Sequence, residues 1–232
     1  MTGPETAAVE SPAAVLWDMD GTILDTEPIW DTALEGLARR HGIEMTADLR
    51  KATMGNNSVD ALTKVFDAAR VPESGRDFDG EEAWMVELVT GLFREELPWR
   101  PGAEALLTLI AGAEIPMLLV TNTMREVADV AIETIGRERF LATVCGDEVA
   151  VGKPAPDIYL RAAELAGAHP HRCLAIEDSP TGAAAAHAAG VPTLVVPSFI
   201  PVPQASHQVF RDSLEGLTLA GLAGCYRAAR ET

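Results

Sequence analysis

An apolar run from Ala13 to Trp17 stops at two carboxylates, Asp18 and Asp20, with Gly21 directly behind them. A short, largely apolar run of this kind reads as a buried strand. Positions i and i+2 of extended backbone face the same side, so the two acids address one site at the strand's end. Gly21 lets the main chain turn sharply or approach a ligand closely. Acids at the mouth of a buried strand are costly unless a cation or a reaction requires them. An Asp-Gly turn that merely ends the strand is the plain alternative, and the rest of the chain decides between the two.

Downstream the pattern is first helical, then alternating. Residues 1–12 are small and polar, lack aromatics and read as a disordered tail. Trp30, Leu34, Leu37, Ala38 and His41 share one helical face. Leu62, Val65, Phe66 and Ala69 mark another helix, and a broad apolar stripe runs from Glu81 to Leu97. Residues 27–98 are therefore expected to form an all-helical inserted subdomain. From Trp99 onward, strands at 115–120, 142–145, 173–176 and 192–196 alternate with helices. Those helices open at Pro101-Gly102, at a capping box Thr123-Met-Arg-Glu126, at Pro156 and at Pro180, and a last helix covers 214–230. Such alternation implies a parallel sheet covered on both faces. The expected fold class is α/β: a doubly wound parallel, Rossmann-like core from 13–26 and 99–232, with the helical cap of 27–98 inserted in it.

Composition removes several functional classes. The formal net charge of −17 on 232 residues disfavours nucleic acid or an anionic membrane as partner. A local cation still admits an anionic small substrate. No apolar run approaches the ~20 residues that span a bilayer, and the first residues have neither the basic nor the apolar part of a signal peptide. Cys145, Cys173 and Cys225 form no close pair, which points to a reducing, cytoplasmic setting.

Ligands of open α/β sheets sit beyond the carboxyl ends of the strands. The first strand delivers Asp18 and Asp20 there, and the second delivers Thr121 and Asn122. The third is followed by Gly152-Lys153-Pro154, and the fourth by Glu177-Asp178-Ser179. Each has a plain reading by itself: a Thr caps a helix, a loop Lys is solvated, and acids before Pro180 complement a helix N-terminus. Together they bring Asp18, Asp20, Glu177 and Asp178 into an oxygen-only acidic cluster of the kind that suits Mg²⁺. Lys153 and the Thr121 hydroxyl can meet phosphoryl oxygens. One carboxylate can attack phosphorus, and a second, two residues on, can protonate the leaving oxygen. An EF-hand is excluded, because Gly21 falls at the fourth position of the loop instead of the sixth.

With Asp18-Met-Asp-Gly-Thr22, Val120-Thr-Asn122, Gly152-Lys-Pro154 with Asp157, and Ile176-Glu-Asp-Ser-Pro-Thr-Gly182 in this order, the chain resembles a haloacid dehalogenase-superfamily hydrolase with a helical cap. The resemblance implies Asp18 as nucleophile, Asp20 as general acid/base, and Thr121, Asn122 and Lys153 as phosphoryl contacts. It also implies Mg²⁺ held by Asp18, the Asp20 carbonyl and Asp178, with Glu177 assisting. Asp25-Thr-Glu-Pro-Ile-Trp30 is similar to the sugar-phosphate phosphatases and the β-phosphoglucomutase-like group. The implied function is a Mg²⁺-dependent phosphatase of small phosphorylated metabolites, sugar or polyol phosphates in particular. Glu27, Asn56, Asn57 and Ser58 are the cap residues expected to select substrate. A phosphomutase is the near rival, although Ser58 stands where mutases of this group carry an Arg. A non-catalytic phosphoacceptor resembling a response-regulator receiver is the more distant one. Asn56, Asn57 and Ser58 have a second reading, as the cap of the following helix.

Overall fold

The computed structural model describes residues 11–54 and 56–232. Most of the stretch read as a tail, up to residue 10, lies outside these residues, as does Gly55. Six strands form one sheet: β1 (Ala14–Trp17), β2 (Met117–Val120), β3 (Ala142–Val144), β4 (Cys173–Glu177), β5 (Thr193–Val195) and β6 (Gln208–Phe210). Their order is β3-β2-β1-β4-β5-β6, and every neighbouring pair is parallel. The chain steps outward from β1 in one direction, then returns beside β1 and steps outward in the other. That reversal leaves a crevice at the carboxyl edge next to β1.

Register levels this edge. Trp17 stands opposite both Leu119 and Ile176, so the residues after β1, β2 and β4 emerge side by side. The four residues of β1 are all fully buried, as expected of a central parallel strand with both faces covered. Side chains alternate with the two-residue period of a strand. Val15 and Trp17 enter one apolar cluster, while Ala14 and Leu16 enter another. The second cluster is closed by α7 (Asp157–Leu165) and α8 (Pro180–Ala188). The first is covered by α5 (Ala103–Gly112), α6 (Arg125–Ile135) and α9 (Leu219–Glu231).

Between β1 and α5 lie α1 (Glu27–Arg40), α2 (Ala47–Thr53), α3 (Ser58–Ala68) and α4 (Phe78–Glu95). Their buried stripes, among them Leu34, Leu37, Leu62, Phe66, Met85 and Val89, join the first apolar cluster through Met19, Ile23, Leu24 and Leu97. The two chain crossings to this block are hydrogen-bonded to each other. Asp25 N–H donates to the Pro98 carbonyl at 2.8 Å, and Arg100 N–H to that of Ile23 at 2.8 Å. Among the described residues no helix is long and apolar enough to cross a membrane.

Three details differ from the sequence reading. Strand β6 is added at the sheet's edge, where three residues beginning with a Gln carry too little pattern to be read. The last helix starts at Leu219 and not at 214, because the Thr218 side chain accepts the Gly221 N–H and caps it there. The expected capping box at Thr123 does not form: α6 has Met124 at its N-cap with no side-chain cap bond. Instead Arg125 N–H is taken by Asp147 at 2.9 Å, and the Thr123 hydroxyl donates to Asp20 at 2.8 Å.

Truncating the central strand should show how much its double burial matters. Leu16→Ala is expected to lose about 2–5 kcal/mol of stability, read from the urea midpoint at unchanged slope.

Candidate active site

The strand ends converge on Lys153. Its buried ammonium donates to Asp18 Oδ1 at 2.6 Å, Glu177 Oε1 at 2.7 Å and the Val120 carbonyl at 3.0 Å. The loop that carries it is fastened by Asn122, whose amide accepts from Lys153 N–H at 2.7 Å and donates to the Lys153 carbonyl at 3.0 Å. The Asn122 side chain thus positions the lysine. Tyr159 of α7, which the sequence reading did not single out, donates to Glu177 Oε1 at 2.6 Å. Burial raises the Tyr159 phenol well above its ordinary value, with the Glu177 charge adding to the effect. Burial opposes the Lys153 charge, but Asp18 and Glu177 outweigh it and hold the ammonium above its usual range.

Asp18, Glu177 and Asp178 each offer a carboxylate oxygen within 4.8 Å of the others. The Thr22 hydroxyl donates to Asp18 Oδ2 at 2.7 Å and lies 3.4 Å from Asp178 Oδ1, and Ser198 donates to Asp178 Oδ2. Burial, then the charge of Glu177, pushes Asp18 up to about 7 against the pull of Lys153. Burial, then Asp18, holds Asp178 well above the carboxylate range. Three buried acids facing one ammonium leave an excess of negative charge, and every donor in the cluster is a hard oxygen. This is the donor set a small divalent cation fits. Two glycines make room for these carboxylates. A Cβ on Gly21, whose φ is +81°, would meet Asp178 Oδ2 at 2.2 Å, and one on Gly182 would meet Glu177 Oε1 at 1.9 Å.

The Asp20 carboxylate lies apart from this cluster and accepts four hydrogen bonds. Thr26 at 2.8 Å and the Trp30 indole N–H at 3.1 Å reach one oxygen; Thr121 at 3.0 Å and Thr123 at 2.8 Å reach the other. Asp20 is therefore held from the helical block on one side and from the end of β2 on the other. The Thr121 hydroxyl also accepts the Thr123 N–H at 3.0 Å.

A cavity opens over Asp18, Asp20, Thr121, Lys153 and Asp178, with α1–α4 forming its far wall. Glu27, Asn56, Asn57 and Ser58 all line it. Glu27 is bound to Arg50, which also binds Asp31. Burial raises the Glu27 carboxyl in spite of Arg50. Asn56 donates to the Ala52 carbonyl at 2.7 Å. It is Asn57, not Ser58, that caps α3, accepting the Asp60 N–H at 2.9 Å. Ser58 donates to Glu82. Thr26, Trp30, Thr123, Tyr159 and Ser198 escaped the sequence reading as site residues, since each also suits an ordinary helix or loop.

The family model of haloacid dehalogenase-like hydrolases matches residues 12–190. The phosphorylated carbohydrates phosphatase of Thermotoga maritima is 31% identical over 179 residues, covering 77% of this chain and 82% of that one. Hexitol phosphatase A of Escherichia coli is 30% identical over 208 residues, covering 88% and 92%. The crystal structure of CbbY from Rhodobacter sphaeroides in complex with phosphate aligns with a TM-score of 0.79 at 27% identity, covering 91% of this chain and 99% of that one.

The raised Asp18 carboxyl gives a pH signature. Its folded value of about 7 lies above the ordinary 3.8, so in this window the folded state holds a proton that the unfolded state has lost. This group's contribution therefore falls as pH rises from 4 to 7. Asp18→Asn removes the penalty. In excess chelator the variant should gain melting temperature relative to the parent protein between pH 5 and pH 8, with no such gain below pH 4. A difference independent of pH would contradict this.

Proposed function

The chain belongs to the haloacid dehalogenase-like hydrolase family, and on that premise we propose that it is a phosphatase of small phosphorylated metabolites of the carbohydrate class. The observation that carries this reading is the buried Asp18 carboxylate. It is held by Lys153 on one oxygen and Thr22 on the other, and opens on a cavity that Asp20 also lines. The phosphatase names of the relatives described above agree with it.

In this reading an Asp18 oxygen attacks phosphorus, the ester P–O bond breaks, and the departing alkoxide takes a proton from Asp20. The Asp20 carboxylate then removes a proton from water, whose oxygen attacks the phosphorus of the aspartyl-phosphate. Phosphate leaves, and both acids return to their starting states. Thr26, Trp30, Thr121 and Thr123 position Asp20 between the two steps. Lys153 orients Asp18 and faces the charge that develops on the phosphoryl oxygens.

A divalent cation, Mg²⁺ in our reading, would be held by Asp18, Asp178 and the Asp20 main-chain carbonyl, and supplies positive charge against the phosphoryl oxygens. Glu177 is engaged with Lys153 and Tyr159 and acts by holding them. The helical block 27–98 acts as a lid on the core of 13–26 and 99–232, closing through the paired crossings at 23–25 and 98–100. The mutase alternative needs a free lid cation for a second phosphate. Arg50 is already bound to Glu27 and Asp31, which favours hydrolysis of monophosphates. Three buried free cysteines suit a reducing compartment such as the cytoplasm.

Asp18→Asn should fold and release phosphate at a rate lower by roughly 10³–10⁶-fold; near-normal turnover of the folded variant would overturn the assignment. Chelation should abolish turnover, and Mg²⁺ should raise the melting temperature by linkage. Asp178→Ala should lose most of that Mg²⁺-induced rise, and Thr121→Ala should keep it. Full activity in excess chelator would sink the metal's role.

A further inference from the structure

Of the three acids grouped at the strand ends, Asp178 has the sparest support. Asp18 is held by Lys153 and Thr22, and Glu177 by Lys153, Tyr159 and Ser179. Among the described residues only two hydroxyls reach the Asp178 carboxylate. Thr22 lies 3.4 Å from Oδ1, and Ser198 donates to Oδ2. Ser198 comes from the β5–β6 connection, beyond the residues 12–190 that the family model matches.

The local reason for its placement is a ladder that runs one residue past β5. Val195 stands opposite Glu177, and Val196 N–H donates to the Glu177 carbonyl at 2.8 Å. The chain is therefore still in register as it passes the residue before Asp178. Pro197 follows with its φ fixed by the ring, and Ser198 then meets Asp178. Further on, Val202 is buried with Ala183 and Val195. Residues 196–202 are thus pinned at both ends, and between the pins Phe199 and Ile200 border the cavity.

A carboxylate with one oxygen tied presents the other. Thr22 donates to Asp18 Oδ2 at 2.7 Å and faces Asp178 Oδ1, so Oδ1 is the oxygen on the Asp18 side. Oδ2 lies against Gly21: a Cβ there would be 2.2 Å from Oδ2 and 3.3 Å from Ser198 Oγ. Gly21 and Ser198 together make the seat of Oδ2, and without the hydroxyl the carboxylate has more freedom to turn. We propose that Ser198 is a positioning residue for the cation site, acting through Asp178, whose Oδ2 it holds so that Oδ1 is presented toward Asp18. This rests on the reading of Asp178 as a Mg²⁺ ligand.

The test is Mg²⁺ binding to the full chain. It is read by titration calorimetry and by the rise in melting temperature over the value in excess chelator. Ser198→Ala should weaken Mg²⁺ binding by about tenfold or more and shrink the rise accordingly. Ser198→Thr keeps the hydroxyl and should stay within about threefold of the parent protein. Phe199→Ala thins the same segment, spares the hydroxyl and should bind Mg²⁺ as the parent does. Should Ser198→Ala not fold, Ser198→Cys, of similar shape and only a weak donor, takes its place with the same outcomes. A Ser198→Ala protein that melts lower with and without Mg²⁺, yet binds it as tightly as the parent, has lost packing alone and overturns the proposal. A loss in Ser198→Thr or Phe199→Ala as large as in Ser198→Ala overturns it too. If the parent itself gives neither heat of binding nor a rise, the cation reading fails and the proposal falls with it.

Discussion

The site depends on one buried ammonium. Lys153 Nζ is enclosed by oxygens from three adjacent strand ends: Val120 at the end of β2, Asp18 beyond β1 and Glu177 at the end of β4. All three ammonium protons are used. A charge buried without such partners costs several kcal/mol, so the loop that bears Lys153 has strong reason to stay where it is. Asn122 reinforces that by binding both main-chain polar groups of the lysine. The same ion fixes the orientation of Asp18, because it occupies one carboxylate oxygen while Thr22 occupies the other.

Compensation by Lys153 is incomplete. Asp18 and Asp178 both sit in surroundings that disfavour their charged forms, chiefly through burial and then through each other and Glu177. Packing neutral groups at these positions would be more stable. Gly21 and Gly182 admit the carboxylates of Asp178 and Glu177 to places that any side chain would fill. The strain of crowding like charges is thus accommodated by small residues at the edge, while the sheet beneath remains wholly apolar.

Asp20 lives under a different regime. Four neutral donors surround it, and they come from both the helical block and the β2 edge. Its partners are hydroxyls and an indole N–H instead of a lysine. Two carboxylates separated by one residue therefore acquire different environments.

The core's architecture and the strand-end residues were legible in the chain itself. Apolar runs such as Pro116–Val120 and Cys173–Ile176 end at polar residues, and alternation with helices permits only a parallel sheet with one functional edge. Asp18, Lys153, Glu177 and Asp178 could be placed there because strand direction alone puts them at that edge. Partner choice was not legible. Thr123 precedes a helix and carries the signature of a cap, yet a carboxylate from 103 residues away takes its hydroxyl. Trp30 reads as a core position of an amphipathic helix and Tyr159 carries no signal of its own, and only packing turns their single polar atoms toward Asp20 and Glu177. The three residues of β6 are too few for periodicity, and their pairing comes from the neighbouring β5 edge. Local sequence sets where the backbone goes and which face is apolar, because those follow from periods of two and 3.6 residues. Which donor meets which acceptor is decided by contacts across the fold, and no local period encodes them.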